Sequence, residues 1–346
     1  MGRTVSRRVA FSRALAALGL SAVVCAWTPA RGQTPPTLFK IATVAPEGST
    51  WMVVMREIDA DVRRETGNQV GFKIYAGGVQ GDELVVLRKV RSGQLQGGGL
   101  TGQGLGQIAP AVRVMEIPFL FQNYEQVDRV RGKLGPRLEA ILHDAGYTVL
   151  GWADVGFVYL FSRQPIATQA NLKAAKMWLW EGDPLAASFF KAAAVEPVPL
   201  PITDVLTSLQ THLVDAVYSS PLACVATQWF TRVSYYTDLP VTFASGAVVV
   251  SNSSFDAIPA AQRDKVLAVC HAKFKELQLK ARQQDADALV EIQKSGVQRV
   301  AVAPEEVKSF TAIGRSVWPM QVGKLYPQDL LDAMQAALAE PQGASH

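Results

Sequence analysis

From Leu38 onward the chain alternates short apolar runs with longer stretches whose apolar residues recur every three or four positions. LFKIATVAP (38–46) is an apolar run that stops at Pro46, the pattern of a buried strand. In the EGSTWMVVMREIDADVRRETGN that follows, Trp51, Val54, Met55, Ile58 and Val62 share one helical face, and Gly67-Asn68 closes the helix. VGFKIYAGG (70–78) predicts a second strand, and GDELVVLRKVRSGQL (81–95) a second helix closed by Ser92-Gly93. Strand, helix, strand, helix with short connections predicts a parallel sheet of the doubly wound type.

The same reading continues down the chain. YTVLGWADVGFVYLFSR (147–163) predicts a strand pair or one long bent strand, and NLKAAKMWLWEGDP another strand leading into a helix over 184–194. DAVYSSP (215–221) is a strand ending in small residues, and 235–255 returns as a β segment. Residues 260–296 form one helical run, long enough to lie across two bodies. A chain of 346 residues exceeds one ordinary hydrophobic core, so two α/β lobes joined by several chain crossings are expected. The boundaries expected are 38–156 plus about 246–285 for the first lobe and 157–245 plus about 286–340 for the second.

Composition is ordinary for a globular protein, 49% hydrophobic and 18% charged, but the N-terminus stands apart. Arg3, Arg7, Arg8 and Arg13 precede the apolar run ALAALGLSAVVCAW, and Ala30-Arg31-Gly32 suits cleavage before Gln33. Residues 1–32 are therefore expected to be a cleavable signal peptide delivering the protein to the periplasm. Arg7-Arg8 followed by Phe11 resembles a twin-arginine signal with the phenylalanine one position late, so the general secretory route is the first expectation. Val24 before Cys25 argues against a lipid anchor. Residues 1–32 carry five arginines and no acid, so the remainder holds 29 bases against 30 acids and is about neutral. That removes any electrostatic argument for nucleic acid or an anionic membrane as partner. Cys224 and Cys270 remain, as a disulfide or as two buried thiols.

Candidate chemistry is sparse. GGGLTG (97–102) matches G-x-G-x-x-G, but no strand precedes it and no acidic residue follows at the required distance, so it is read as a loop or tight turn. His143, His212, His271 and His346 have no paired spacing, and no cysteine pair has ligand spacing, so neither a metal site nor a cofactor is expected. Ser219-Ser220 has no histidine near it in sequence to act as base. The aromatic residues are different. In WLWEGDP the strand period puts Trp178 and Trp180 on one face, with Glu181 and Asp183 at the carboxyl end, where ligands bind in α/β sheets.

From about Phe39 to Pro341 the chain resembles the extracytoplasmic substrate-binding component of tripartite ATP-independent periplasmic (TRAP) transporters. The resemblance is carried by KIATVAPEGSTW, by GDELVVLRKVRSGQLQGGGLT with Gln96 where aspartate is frequent, by VMEIPFLFQNYEQVD, by NLKAAKMWLW and by LQTHLVDAVYSSPL. It implies a class II-like two-lobed periplasmic binding protein fold with a long helix spanning both lobes. It also implies hinge closure on a ligand without catalysis, and delivery to the small and large membrane subunits. Most members hold an organic anion through an arginine at the fourth position of the "lKiR" strand. Here that position is Trp178, a second frequent arginine falls on Val158, a frequent asparagine on Ser220, and a frequent aromatic residue on Ile202.

Losing all four groups together predicts a neutral, apolar or amphipathic ligand, because a carboxylate buried without a cation costs several kcal/mol. Thr101 and Glu181 are the expected polar contacts. Val44, Phe119 and Ser219 join the candidate wall, with Trp51, Phe121 and Phe157 as possible extensions. The resemblance also allows a periplasmic tetratricopeptide-repeat partner. Two alternatives remain: an organic-anion binder anchored on another base such as Arg88 or Arg113, and a periplasmic enzyme on the same scaffold.

Overall fold

The computed structural model describes residues 36–340, so the expected signal peptide lies outside the described residues. The first four elements follow the predicted order, β1 (Thr37–Thr43), α1 (Thr50–Glu65), β2 (Val70–Tyr75) and α2 (Glu83–Arg91), and β3 (Gly97–Thr101) and α3 (Gly102–Ile108) come next. β1 pairs in parallel with β2 on one side and β3 on the other. Ser49 starts α1 by accepting a hydrogen bond from the Met52 amide, and Met52, Val54, Met55, Ile58 and Val62 are buried.

The GGGLT segment, read from sequence as a loop, is instead the central strand β3. The cause is steric. A Cβ on Gly97 would come within 2.3 Å of the Val249 carbonyl oxygen, so only glycine allows the neighbouring strand this close.

After α4 (Tyr124–Asp144) comes β4 (Tyr147–Ser162), a single long strand rather than a strand pair. The chain continues through α5 (Gln169–Ala174), β5 (Trp178–Trp180), α6 (Pro184–Ala192), β6 (Val198–Leu200), α7 (Val205–Gln210), β7 (Ala216–Ser219) and α8 (Pro221–Ala226). It returns as β8 (Tyr235–Ser251), then α9 (Asn252–Asp256), α10 (Ala260–Lys294), β9 (Gln298–Val300), α11 (Pro304–Gln321) and α12 (Gln328–Ala339).

β8 pairs antiparallel with β3 and with the whole of β4, so the parallel sheet expected from sequence becomes a mixed one, ordered β2-β1-β3-β8-β4-β7. β5 and β6 form a separate parallel pair.

The result is an α/β two-lobed periplasmic binding protein fold whose lobes share three crossings: β4, β8 and α10. Along β4 the register against β8 shifts at Val149/Gly151, Asp154/Gly156 and Val158/Leu160. Gly156 sits in the middle shift at φ 120°, a conformation other residues rarely adopt.

α10 runs 35 residues, about 52 Å at 1.5 Å per residue. Its Val266, Cys270, Phe274 and Leu277 pack into the core with β1 and α1, while Ile292 packs into the other core with Trp178 and Trp180. α12, counted from sequence with the second lobe, packs against α4, where Arg129 donates to the Leu338 and Glu340 carbonyls. Cys224 and Cys270 are both buried and free, two thiols rather than a disulfide.

Candidate functional site

Between the two lobes lies a cavity of about 910 Å³. It is framed by the ends of β1 and β3, the start of α1, β5, α6, the β7–α8 corner and α10.

On the β5 side, strand alternation buries Trp178 and Trp180 and leaves Leu179 half-buried, as the sequence pattern implied. The Trp178 indole stacks on Tyr218 (4.9 Å, 21°), meets Trp229 edge-on (5.2 Å, 76°), and donates from Nε1 to the Leu200 carbonyl at 3.0 Å. Trp178 belongs to the cavity wall but is only 1% exposed, because these neighbours already cover it. It therefore supports the wall more than it offers a free face. Accessible apolar area comes instead from half-buried lining residues such as Trp51, Ile202, Leu206, Leu222 and Val225.

The turn after β5 is held by side chains from the opposite lobe. Trp180 Nε1 and the Ile202 amide both donate to Asp82 Oδ2, at 3.0 and 3.1 Å. Gln103 Nε2 donates to the Glu181 carbonyl at 3.0 Å and Gln107 Nε2 to the Gly182 carbonyl at 2.9 Å. Arg113 Nη2 donates to both oxygens of Asp183, at 3.0 and 2.9 Å. Four side chains thus grip four consecutive residues, with Gly182 at φ 78° making the turn.

Asp183 is doubly engaged. Its Oδ1 also accepts from the Leu185 and Ala186 amides, capping α6.

Among the described residues Arg113 is the one basic residue in the cavity lining, and it is buried. Its Nε lies 3.3 Å from Glu116 Oε2, and Glu116 Oε1 accepts from the Ser245 amide and hydroxyl. Burial pushes the Glu116 carboxyl above its usual pKa against the pull of Arg113. Burial alone would lower the pKa of Arg113, but Asp183 and Glu116 hold it above the usual guanidinium value. One buried cation therefore serves two buried acids.

The sequence candidates fall into two groups. Val44, Thr101, Val158, Trp178, Trp180, Ile202, Ser219 and Ser220 line the cavity, and so does Trp51. Glu181 does not: its side chain is exposed, and its carbonyl is the part that faces the opposite lobe. Phe119 is also outside the wall, packed where a Cβ on Gly314 would meet its ring at 2.4 Å. Phe121 and Phe157 both pack on Phe243 in the core. Thr101 Oγ1 is already hydrogen-bonded to Glu83.

Arg88 is exposed and away from the cavity, which leaves Arg113 as the basic residue there. Asp82, Gln103 and Gln107 were not anticipated: an acid opening a helix reads as a cap, and glutamines in a glycine-rich run carry no signal. Ser220 Oγ accepts from the Ala223 amide, and the described histidines, His143, His212 and His271, are all exposed outside the lining. Among the described residues no group of histidine, cysteine or acidic side chains could hold a metal ion.

Residues 41–324 match the sequence profile of bacterial extracellular solute-binding protein, family 7. The 2,3-diketo-L-gulonate-binding periplasmic protein of Escherichia coli is 27% identical over 285 residues, 79% of this chain and 84% of that protein. Two solved TRAP periplasmic solute-binding proteins share the fold. That of Sulfurospirillum deleyianum with bound succinate has a TM-score of 0.81 at 18% identity, over 88% of this chain and 99% of that one. That of Xanthobacter autotrophicus with bound β-D-galacturonate has a TM-score of 0.82 at 18% identity, over 88% and 100%.

Proposed function

The chain belongs to bacterial extracellular solute-binding protein family 7, the periplasmic binding components of TRAP transporters, and we propose that it captures a solute with an apolar body and no required carboxylate. Closure of the two lobes holds the solute in the cavity for delivery to the two membrane subunits. Residues 1–32 act as the cleavable signal peptide that directs the chain's export to the periplasm.

The observation that carries the reading is the neutralisation of Arg113 by Asp183 at 2.9 Å, beside Glu116, in a cavity whose wall is mostly apolar by area, with Gln284, Asp287 and Glu291 of α10 as polar lining residues. A ligand carboxylate entering there would be buried with three acids around one cation, at a cost of several kcal/mol. An apolar body gains about 25 cal/mol for each Å² it buries.

A second reading, an organic-anion binder, is favoured by the relatives. The Escherichia coli protein is named for a sugar acid, and solved neighbours hold succinate and galacturonate. On that reading Arg113, whose Nε has no hydrogen-bond partner, is the anchor and the ligand competes with Asp183.

Mass spectrometry of solute extracted from purified, denatured protein separates the two. A neutral apolar or amphipathic compound supports the first reading. Recovery of a small dicarboxylate or sugar acid at stoichiometric amount rejects it in favour of the second. The tetratricopeptide-repeat partner belongs to the first reading and is tested by pull-down from periplasmic extract.

A further inference from the structure

The cavity contains a buried arginine whose place as an anion receptor is already taken by the protein's own side chain. We infer that Asp183 is an internal anion: it fills the carboxylate position on Arg113, links the two lobes in the ligand's place, and so sets the specificity of the cavity against carboxylates.

Several observations meet at this residue. Arg113 and Asp183 are 70 positions apart, both line the cavity, and their side chains are 7% and 6% exposed. One guanidinium nitrogen reaches both carboxylate oxygens, so the whole carboxylate head is committed to the contact. Asp183 is fixed there by its own position. Gly182 turns the chain after β5, Pro184 starts α6, and the Leu185 and Ala186 amides hold Oδ1. On the other side Glu116 steadies Arg113 and is itself tied to Ser245.

Removing the Asp183 charge would leave Arg113 with one acid instead of two. A carboxylate entering from the cavity would then restore the native count. The inference rests on the reading of a solute with no required carboxylate, and it goes further by naming the residue responsible.

Asp183→Asn is the informative change. The amide oxygen keeps the α6 cap, since asparagine is as good a cap as aspartate, while the position facing the guanidinium loses its charge. Wild type and variant are unfolded, stripped of bound solute and refolded. Each is then titrated calorimetrically with two matched pairs, phenylacetate against phenylacetamide and octanoate against octanamide.

The wild type is expected to favour the amide of each pair or neither member. Asp183→Asn is expected to shift the carboxylate-to-amide ratio by about tenfold or more toward the carboxylate. Adding Arg113→Gln should remove that gain. If Asp183→Asn does not refold, Asp183→Ser, which also keeps a capping oxygen, carries the same comparison.

A folded variant with an unchanged ratio overturns the inference, whatever the copurified solute is. A wild type that already prefers the carboxylates, with an acid as its copurified solute, overturns both this inference and the function it rests on. A neutral copurified solute with an unchanged ratio overturns this inference alone.

Discussion

At the scale of single residues, Trp178 shows how one side chain can be wall and core together. Its indole is covered by Tyr218, Trp180 and Trp229, and its Nε1 is satisfied by Leu200. Trp178→Ala should therefore cost about 3–5 kcal/mol of folding stability, measured by urea unfolding, because it removes a large buried ring and leaves a cavity. Placing at this position the arginine that the family resemblance implies is not the mirror experiment. A guanidinium there would be buried among the rings of Tyr218, Trp180 and Trp229. The strand period in WLW was legible because it depends only on neighbours in sequence. The Arg113–Asp183 pair was not, because the fold alone brings together residues 70 positions apart: each was a separate candidate, and nothing local joined them.

Whole elements depend on a few close approaches. β3 lies between β1 and β8, and its Gly97, Gly98 and Gly99 are what allow that fit: added Cβ atoms would meet Val249, Leu100 and Thr43 at 2.3, 3.0 and 3.2 Å. Gly97→Ala should disrupt the β3–β8 pairing and lower the thermal midpoint by several degrees or more, read by circular dichroism, whereas Gly132→Ala, with open space around its Cβ position, should not lower it. Three glycines in a row read from sequence as a loop because glycine is poor in strands. The structural reason for them lies on β8, about 150 residues later, so local reasoning had no access to it. β1, α1, β2 and α2 fared better, since each buries a face its own periodicity announces. The mixed character of the sheet was hidden for the same reason as β3, because β8 enters it late in the chain.

The whole molecule turns on the place where β4, β8 and α10 cross between the lobes. Asp285 of α10 sits there, beside Gly156, accepting from the Leu222 amide at 2.9 Å and from the Tyr124 hydroxyl at 3.4 Å. Asp154 is the charged group acting on it, and Asp154 is itself paired with Arg131 and Arg282. Burial raises the Asp285 carboxyl to about 7, against an ordinary 3.8. A carboxyl raised on folding contributes its full stability below pH 3.8 and loses it as pH climbs through about 7. Asp285→Asn should flatten that part of the stability-against-pH curve, checked by urea midpoints taken between pH 4 and 8. An unchanged slope would place the titrating group elsewhere.

The same crossing point has a kinetic consequence. α10 is one stiff rod about 52 Å long with its two halves rooted in different cores, and two long strands run beside it. Three parallel ties permit bending and resist twist and separation, so the lobes share a single coordinate of motion. Capture and release should then relax with one rate constant each, and a label on either lobe should report the same number.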